Sequence, residues 1–218
     1  MSSRGLFITI EGGEGVGKST NIAFIKEQLE SHGVELVVTR EPGGSRLGEE
    51  IRELLLAVRD GGVNDMAELL LMFAARAQHI EELIEPALAA GKWVLCDRFT
   101  DATYAYQSGG RGIAQGAVAA LEKMVQGALL PDCTLLLDAP VDTGMGRVRG
   151  RGELDRFERE ELAFFERVRS TYLELAEKSS GRYRIVDAGQ PLDEVQQQLL
   201  RVCKELITCW GVRHPETS

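Results

Sequence analysis

One eight-residue segment, GGEGVGKS from Gly12 to Ser19, constrains this chain more than any other feature. It matches G-x-x-x-x-G-K-[ST] at every fixed position. The apolar run Leu6–Ile10 precedes it, and a helical pattern begins at Lys18. The glycines let backbone N–H groups converge on phosphate oxygens, where the start of a helix adds partial positive charge. The segment therefore predicts a nucleoside triphosphate site between a strand and a helix.

Two side chains of this segment have expected roles in that site. Lys18 is placed to reach the β- and γ-phosphates, and Ser19 offers a hydroxyl to Mg²⁺. The predicted ATP contacts are Gly12, Gly13, Glu14, Gly15, Val16, Gly17, Lys18, Ser19 and Thr20.

Short apolar runs alternate with longer amphipathic segments along the whole chain. The runs are Leu6–Ile10, Leu36–Thr39, Trp93–Cys96, Thr134–Leu137 and Tyr183–Val186. Helical patterns cover about 18–30, 47–58, 66–90, 115–127 and 159–178, with a last one from Leu192. This alternation predicts an α/β fold with a five-stranded parallel sheet and helices on both faces. We expect one domain over residues 1–210 and a polar tail over 211–218.

Composition excludes several classes of protein. The 218 residues carry a net charge of −9, which disfavours a nucleic-acid partner because phosphates require a basic surface. No run approaches the ~18 apolar residues of a membrane helix, and the N-terminus lacks the pattern of a signal peptide. The four cysteines show neither a CxxC pair nor metal spacing, so they are expected to be reduced thiols. We therefore expect a cytoplasmic protein with no membrane contact.

Three further groups of residues follow predicted strands or lie near them. Arg40–Gly44 follows the second strand, Asp97-Arg98-Phe99 follows the third, and Gln107–Gly112 is expected to be a polar loop. Ligands of open parallel sheets bind at this edge. Arg98 is suited to bind a phosphate through two hydrogen bonds, and Asp97 is suited to organise Mg²⁺ or the reacting phosphates.

Together these motifs resemble the bacterial thymidylate (dTMP) kinases. The matching stretches are residues 11–20, 39–44, 73–76, 97–99, 105–107, 110–112 and 149–156, in one order along nearly the whole chain. The resemblance implies a three-layer P-loop kinase fold and transfer of the ATP γ-phosphoryl group to dTMP. It also implies a homodimer that packs through helices.

The resemblance assigns the dTMP site residue by residue. Arg98 and Arg52 correspond to ligands of the monophosphate, and Arg76 corresponds to the residue that hydrogen-bonds thymine. Thr103 and Gln107 correspond to its other polar contacts, and Glu41 and Pro42 to the wall near the sugar and base. The family usually stacks thymine on an aromatic side chain four residues before the arginine. Here Met72 holds that position and Phe73 follows it, so either residue is a candidate to cover the base.

The source of catalytic charge is a separate question, because some family members carry a basic residue where this chain has Gly15. Four arginines after the fourth strand match the family's lid, expected at about 147–157: Arg147, Arg149, Arg151 and Arg156. We expect Arg147 to contact ATP, and Arg149 and Arg151 to act with Lys18, Arg98 and Asp97 in catalysis. A Gly15→Arg change is expected to rescue lid variants in part, provided that this backbone position accepts an arginine side chain.

Two other functions remain open at this point. One is a kinase for another monophosphate, such as adenylate or guanylate. The other is a nucleotide-dependent switch, although the guanine-reading Asn-Lys-x-Asp is absent from the sequence.

Overall fold

Five parallel strands form the centre of the molecule. The computed structural model describes residues 4–150, 155–179 and 181–213. The strands within them are β1 (Phe7–Glu11), β2 (Leu36–Arg40), β3 (Trp93–Asp97), β4 (Cys133–Asp138) and β5 (Tyr183–Asp187). Their order in the sheet is β2-β3-β1-β4-β5, and every neighbouring pair is parallel.

The described helices connect these strands and cover them. They are α1 (Lys18–Ser31), α2 (Arg46–Leu56), α3 (Asp65–His79), α4 (Glu85–Ala89), α5 (Thr100–Thr103), α6 (Gln115–Gln126), α7 (Val141–Arg149), α8 (Leu162–Lys178) and α9 (Leu192–Arg213). Two π-helical segments, Ile80–Ile84 and Tyr104–Gly110, follow α3 and α5. No described helix combines the length and apolar character needed to span a bilayer.

Alternation of side chains along β1 explains the three layers. Ile8 and Ile10 point to one face, where they share a buried cluster with α1 and α9. Phe7 points to the other face and packs with Ile80, Ile84 and Leu88 of the α3–α4 region. Because both faces are covered, the strands are continuous apolar runs, as the sequence predicted.

One prediction about local structure was wrong. The helical segment expected over about 66–90 is confirmed, although Ile80–Ile84 between α3 and α4 is π-helical. The polar loop expected at 107–112, in contrast, is largely the π-helical segment Tyr104–Gly110. Close packing explains this difference. A Cβ on Gly109 would lie 2.1 Å from Thr171 Oγ1 of α8, so the glycines that disfavour a helix locally also allow this tertiary contact.

The last helix reaches further than the sequence indicated. It continues to Arg213, so residues 211–213 of the expected tail are helical. Residues 214–218 of that tail lie outside the described residues.

Strand register brings three connecting segments to one edge of the sheet. Asp97 lies beside Ile10 of β1 and Arg40 of β2. Just beyond the strands, Glu41 N–H donates to the Asp97 carbonyl at 2.9 Å, and Arg98 N–H donates to the Ile10 carbonyl at 3.0 Å. The segments after β1, β2 and β3 therefore meet at the carboxyl edge, where the sequence placed the ligand site.

Candidate active site

The phosphate-binding loop, residues 12–19, connects β1 to α1 and closes around its own lysine. Lys18 Nζ donates to the carbonyls of Gly12 at 3.2 Å and Gly13 at 3.0 Å. Burial, together with the positive charge of Arg98, lowers the pKa of Lys18. A Cβ on Gly12, whose φ is +139°, would lie 2.4 Å from the Leu137 carbonyl oxygen, so only glycine fits there. The loop is thus fixed against β4 with its ammonium group in place.

A cavity of about 410 Å³ opens beside this loop and collects most of the predicted site residues. Its walls include residues 14–20 of the phosphate-binding loop and α1. They also include Glu41, Pro42, Arg52, Arg76, Asp97, Arg98, Thr103 and Gln107. The size and mixed character of the cavity suit a mononucleotide-sized ligand.

Arg98 ties the acceptor side of the cavity to the phosphate-binding loop. Its guanidinium donates to the Gly12 carbonyl at 3.0 Å, lies 2.5 Å from Glu14 Oε1, and stacks 4.7 Å from the centre of the Tyr106 ring. Burial opposes the charge of this guanidinium, but Glu14 and the two neighbouring tyrosines outweigh that effect and raise the pKa of Arg98. Arg98 therefore stays charged beside the loop.

Arg52 adds a second positive charge at this end. Its NH1 donates to the Pro42 carbonyl at 3.1 Å, which holds the side chain against the segment after β2. Burial, with the nearby charges of Arg40 and Arg98, lowers the pKa of Arg52. The positive potential of this end suits a phosphate group.

Arg76 also lines the cavity, and two side-chain hydrogen bonds hold it there. Its Nε donates to Glu41 Oε2 at 2.7 Å and its NH2 donates to Thr103 Oγ1 at 3.0 Å. Its NH1 is buried, and no described residue offers this nitrogen a hydrogen-bond partner. A buried donor without a partner is costly unless a ligand supplies the acceptor, so this nitrogen is suited to bind a carbonyl oxygen of a ligand.

Of the two candidates to cover the base, Met72 lines the cavity and Phe73 does not. The Phe73 side chain, only 2% exposed, packs in the core with Leu69 and Val118. The centre of the Phe73 ring lies 4.7 Å from Cζ of Arg76, so the ring packs against the guanidinium in a cation–π contact. The helical position four residues before Arg76, and not the aromatic type, decides which side chain faces the cavity.

Gln107 is held by a buried acid. Its Nε2 donates to Glu68 Oε1 at 2.9 Å, and Glu68 has no exposed surface. Arg111 and Arg156 pair with the same carboxylate, Arg156 at 2.5 Å. Arg156 also donates from Nε to the Leu55 carbonyl at 2.7 Å. In this structure Arg156 thus pairs with α3 and α2, and its expected role as a lid charge stays a prediction.

Asp97 and Ser19 are the groups expected to hold Mg²⁺. Both line the cavity, and Asp97 Oδ1 is buried without a hydrogen-bond partner among the described residues. The described residues contain no cluster of three or more His, Cys, Asp or Glu side chains suited to a metal. One carboxylate and one hydroxyl fit the way Mg²⁺ is usually bound, with few protein ligands and the phosphates completing its shell.

The lid prediction is only partly within the described residues. Arg147 NH1 donates to the carbonyls of Gly15 at 3.4 Å and Ala188 at 3.1 Å, which attaches α7 to the phosphate-binding loop. The side chain of Arg149 and the whole of Arg151 lie outside the described residues. The condition on the Gly15→Arg rescue is not met. The φ of Gly15 is +71°, and a Cβ there would lie 1.9 Å from the Gly144 carbonyl oxygen.

Several cavity residues were not selected from the sequence. Tyr106 lines the cavity, and its hydroxyl donates to Glu14 at 2.7 Å. Asp155 and Phe157 lie within the segment expected as the lid and also line the cavity, where Asp155 Oδ1 accepts from Phe157 N–H at 2.8 Å. Tyr106 directly precedes Gln107 in the matching stretch 105–107, and this adjacency could have identified it. For Asp155 and Phe157 the sequence offered no signal beyond their membership of the expected lid.

This chain is similar to known proteins over most of its length. The family model described as Thymidylate kinase matches residues 10–199. The chain is 58% identical to the thymidylate kinase of Pseudomonas savastanoi pv. phaseolicola over 93% of its length and 97% of the relative's. It is 55% identical to the thymidylate kinase of Teredinibacter turnerae over 93% of its length and 99% of the relative's. It is 54% identical to the thymidylate kinase of Alcanivorax borkumensis over 93% of its length and 97% of the relative's.

Proposed function

Because this chain belongs to the thymidylate kinase family, we propose that it is the enzyme that transfers the ATP γ-phosphoryl group to dTMP, giving dTDP and ADP for dTTP synthesis. The observation that carries this proposal is the cavity beside the phosphate-binding loop. Its wall brings together two arginines with neighbouring charges, Arg98 and Arg52, and a third, Arg76, whose NH1 has no hydrogen-bond partner among the described residues. A pyrimidine monophosphate offers complementary groups, a phosphate and ring carbonyl oxygens.

The acceptor then lies along the cavity with its phosphate toward Arg98. Arg76 NH1 donates to a carbonyl oxygen of thymine, and Met72 covers the base. Thr103 and Gln107 are already oriented by Arg76 and Glu68, so they add polar contacts at little entropic expense. Cytosine carries an amino group in place of the O4 carbonyl of thymine, so an Arg76 donor directed at O4 is left unpaired by cytosine.

The donor triphosphate binds in the loop from Gly12 to Thr20, where Lys18 replaces its carbonyl contacts with phosphate oxygens. An oxygen of the dTMP phosphate attacks the γ-phosphorus while the bond from that phosphorus to the β-phosphate oxygen breaks, and ADP leaves. Arg98 contacts both the loop and the acceptor, so it positions the attacking oxygen. When bound, Mg²⁺ neutralises phosphate charge, and Ser19 and Asp97 are the residues that would hold it.

The segment at about 147–157 is proposed to close over the reacting phosphates and exclude water. Arg149 and Arg151 are the proposed source of catalytic charge in that closed state. This role is supported by the position of Arg147, which contacts the carbonyl of Gly15 at the start of the segment.

We also propose that the protein is a homodimer and that it is cytoplasmic. Large apolar side chains on adjacent helices are exposed: Leu47 and Leu54 on α2, and Met66 and Leu70 on α3. Burial of such a patch stabilises association. Sedimentation should then give about twice the 23.9 kDa chain mass at micromolar concentration, and a single monomer species would contradict it. Free buried cysteines at 96, 133 and 203 are in keeping with a reducing compartment.

A coupled assay with ATP, Mg²⁺ and dTMP tests the catalytic proposal, with rates compared across dTMP, AMP, GMP, CMP and UMP. The expected result is a strong preference for dTMP and loss of activity with EDTA. A preference for AMP or GMP would favour the alternative monophosphate kinases. ATP hydrolysis that no monophosphate stimulates would favour a nucleotide-dependent switch.

A further inference from the structure

A buried histidine lies behind the base-recognising arginine. His79 is the last residue of α3 and is fully buried, three residues after Arg76. Its Nδ1 lies 3.0 Å from Glu41 Oε1, and its Nε2 lies 2.7 Å from Thr39 Oγ1. It is therefore held at both ring nitrogens, and it does not line the cavity.

The hydrogen bonds of Glu41 indicate the tautomer of the ring. A carboxylate only accepts hydrogen bonds, and Oε2 of Glu41 accepts one from Arg76 Nε. We therefore assign a hydrogen to Nδ1 of His79, which donates it to Oε1. Each oxygen of Glu41 thus has one donor, and the plane of the carboxylate is fixed from both sides.

This arrangement determines where the free nitrogen of Arg76 lies. Glu41 accepts a hydrogen bond from Nε and Thr103 accepts one from NH2. Because the guanidinium is planar and rigid, these two bonds also fix the position of NH1. Without the His79 bond, Glu41 would keep a single fixed oxygen and could rotate about it. A rotation of the carboxylate would carry the guanidinium with it.

The histidine also supports the segment after β2. A Cβ on Gly44 would lie 2.2 Å from His79 Nε2 and 2.6 Å from Thr39 Oγ1, so the chain passes directly over this hydrogen bond. The same segment carries Glu41 and Pro42, which line the cavity. Both contacts of the ring therefore act on the wall that faces the base.

We infer that His79 is a positioning residue for the acceptor base, acting through Glu41 to aim Arg76 NH1. This inference rests on the proposed function and names what sets its base selectivity. Because its hydrogen bonds go to Glu41 and Thr39, we expect His79 to affect binding and selection of the acceptor base more than transfer from ATP.

Three variants separate positioning from simple packing. In His79→Asn, the amide nitrogen takes the place of Nδ1 and keeps the bond to Glu41. In His79→Gln, the amide nitrogen takes the place of Nε2 and keeps only the bond to Thr39. His79→Phe fills the volume and removes both bonds. His32, an exposed histidine that contacts the Gln28 carbonyl at 2.8 Å, provides the matched control His32→Gln.

The measurements are KM for dTMP, KM for ATP, kcat, and the ratio of kcat/KM for dTMP over dCMP, with melting temperatures to confirm folding. We expect the Phe and Gln variants to raise the dTMP KM about tenfold and to lower the dTMP/dCMP ratio, with kcat and the ATP KM within about threefold of wild type. The Asn variant should restore the dTMP KM to within about threefold. Equal effects of Asn and Gln, or a loss confined to kcat, would overturn the positioning role. If wild type fails to phosphorylate dTMP, the proposed function itself is wrong.

Discussion

The guanidinium of Arg98 lies 2.5 Å from Glu14 Oε1 although the Arg98 backbone has the left-handed φ of +68°. No other non-glycine residue in the described part of the chain has a positive φ. Arg98 N–H donates to the Ile10 carbonyl at 3.0 Å, and the next N–H, of Phe99, donates to Glu11 Oε1 at 2.6 Å. The end of β1 thus holds a strained residue between donor and acceptor sites, which is typical of functional positions.

Removal of the Arg98 side chain should affect both binding and transfer. Arg98→Ala is expected to raise the dTMP KM and lower kcat together, because the same charge binds the acceptor phosphate and orients its oxygen. Steady-state kinetics with both substrates measure this. A normal dTMP KM with weaker ATP binding would move Arg98 to the donor side.

The strain at this position gives a separate stability prediction. Arg98→Gly should be more stable than Arg98→Ala by about 0.5–1 kcal/mol, since both lose the side chain but only glycine adopts the left-handed region freely. Chemical denaturation of the two variants at one pH checks it. Equal stability would mean that the backbone strain is relieved elsewhere.

Lys18→Ala should abolish phosphoryl transfer and leave the fold intact. The ammonium group contacts only loop carbonyls among its hydrogen-bond partners, so its loss removes charge from the phosphate site without opening the core. We expect kcat to fall about 100-fold or more. Circular dichroism should match wild type. Retention of more than a tenth of the activity would contradict the triphosphate assignment.

The sequence predicted the sheet and the phosphate-binding loop because both depend on local patterns. Continuous apolar runs identify buried strands, and the fixed glycines and lysine of residues 12–19 identify the loop. Arg76 could be selected only through the family resemblance, since nothing local distinguishes an arginine facing a cavity from one facing solvent.

Long-range pairing explains most of what the sequence missed. Arg156 lies in an arginine-rich stretch, yet its partner is Glu68, buried on α3. The π-helical segment Tyr104–Gly110 depends on contact of Gly109 with Thr171, which local helix propensity opposes. In both cases tertiary packing overrides the local sequence preference. The partner residue is distant along the chain, so it cannot be identified from a single sequence.

Stability should depend on pH through Glu11. Burial, reinforced by the charge of Asp101, raises the pKa of this carboxyl from 4.5 to about 8. The folded protein then keeps a proton that the unfolded chain has released, so this contribution to stability is present below about pH 4.5 and is lost as the pH rises toward 8. Urea unfolding of wild type and Glu11→Gln from pH 5 to 8 measures it. The Gln variant should show a flatter profile, and parallel profiles would contradict the prediction.

Two glycines of α7 form a matched pair that tests the contact between this helix and the phosphate-binding loop. A Cβ on Gly144 would lie 2.3 Å from the Glu14 carbonyl oxygen, whereas a Cβ on Gly146 would meet no atom within 4 Å. Gly146→Ala should therefore stabilise the protein by about 0.5–1 kcal/mol through helix propensity alone, with unchanged kinetics.

Gly144→Ala has the same gain in propensity but must push α7 away from the loop. Since Arg147 on this helix contacts the Gly15 carbonyl, that displacement reaches the triphosphate site. We expect a lower melting temperature and a several-fold higher KM for ATP, with the dTMP KM close to wild type because the acceptor contacts lie on other elements. Thermal melts and kinetics of the two variants, made in parallel, provide the comparison. If Gly144→Ala behaves like Gly146→Ala, the backbone contact between α7 and the loop does not control ATP binding.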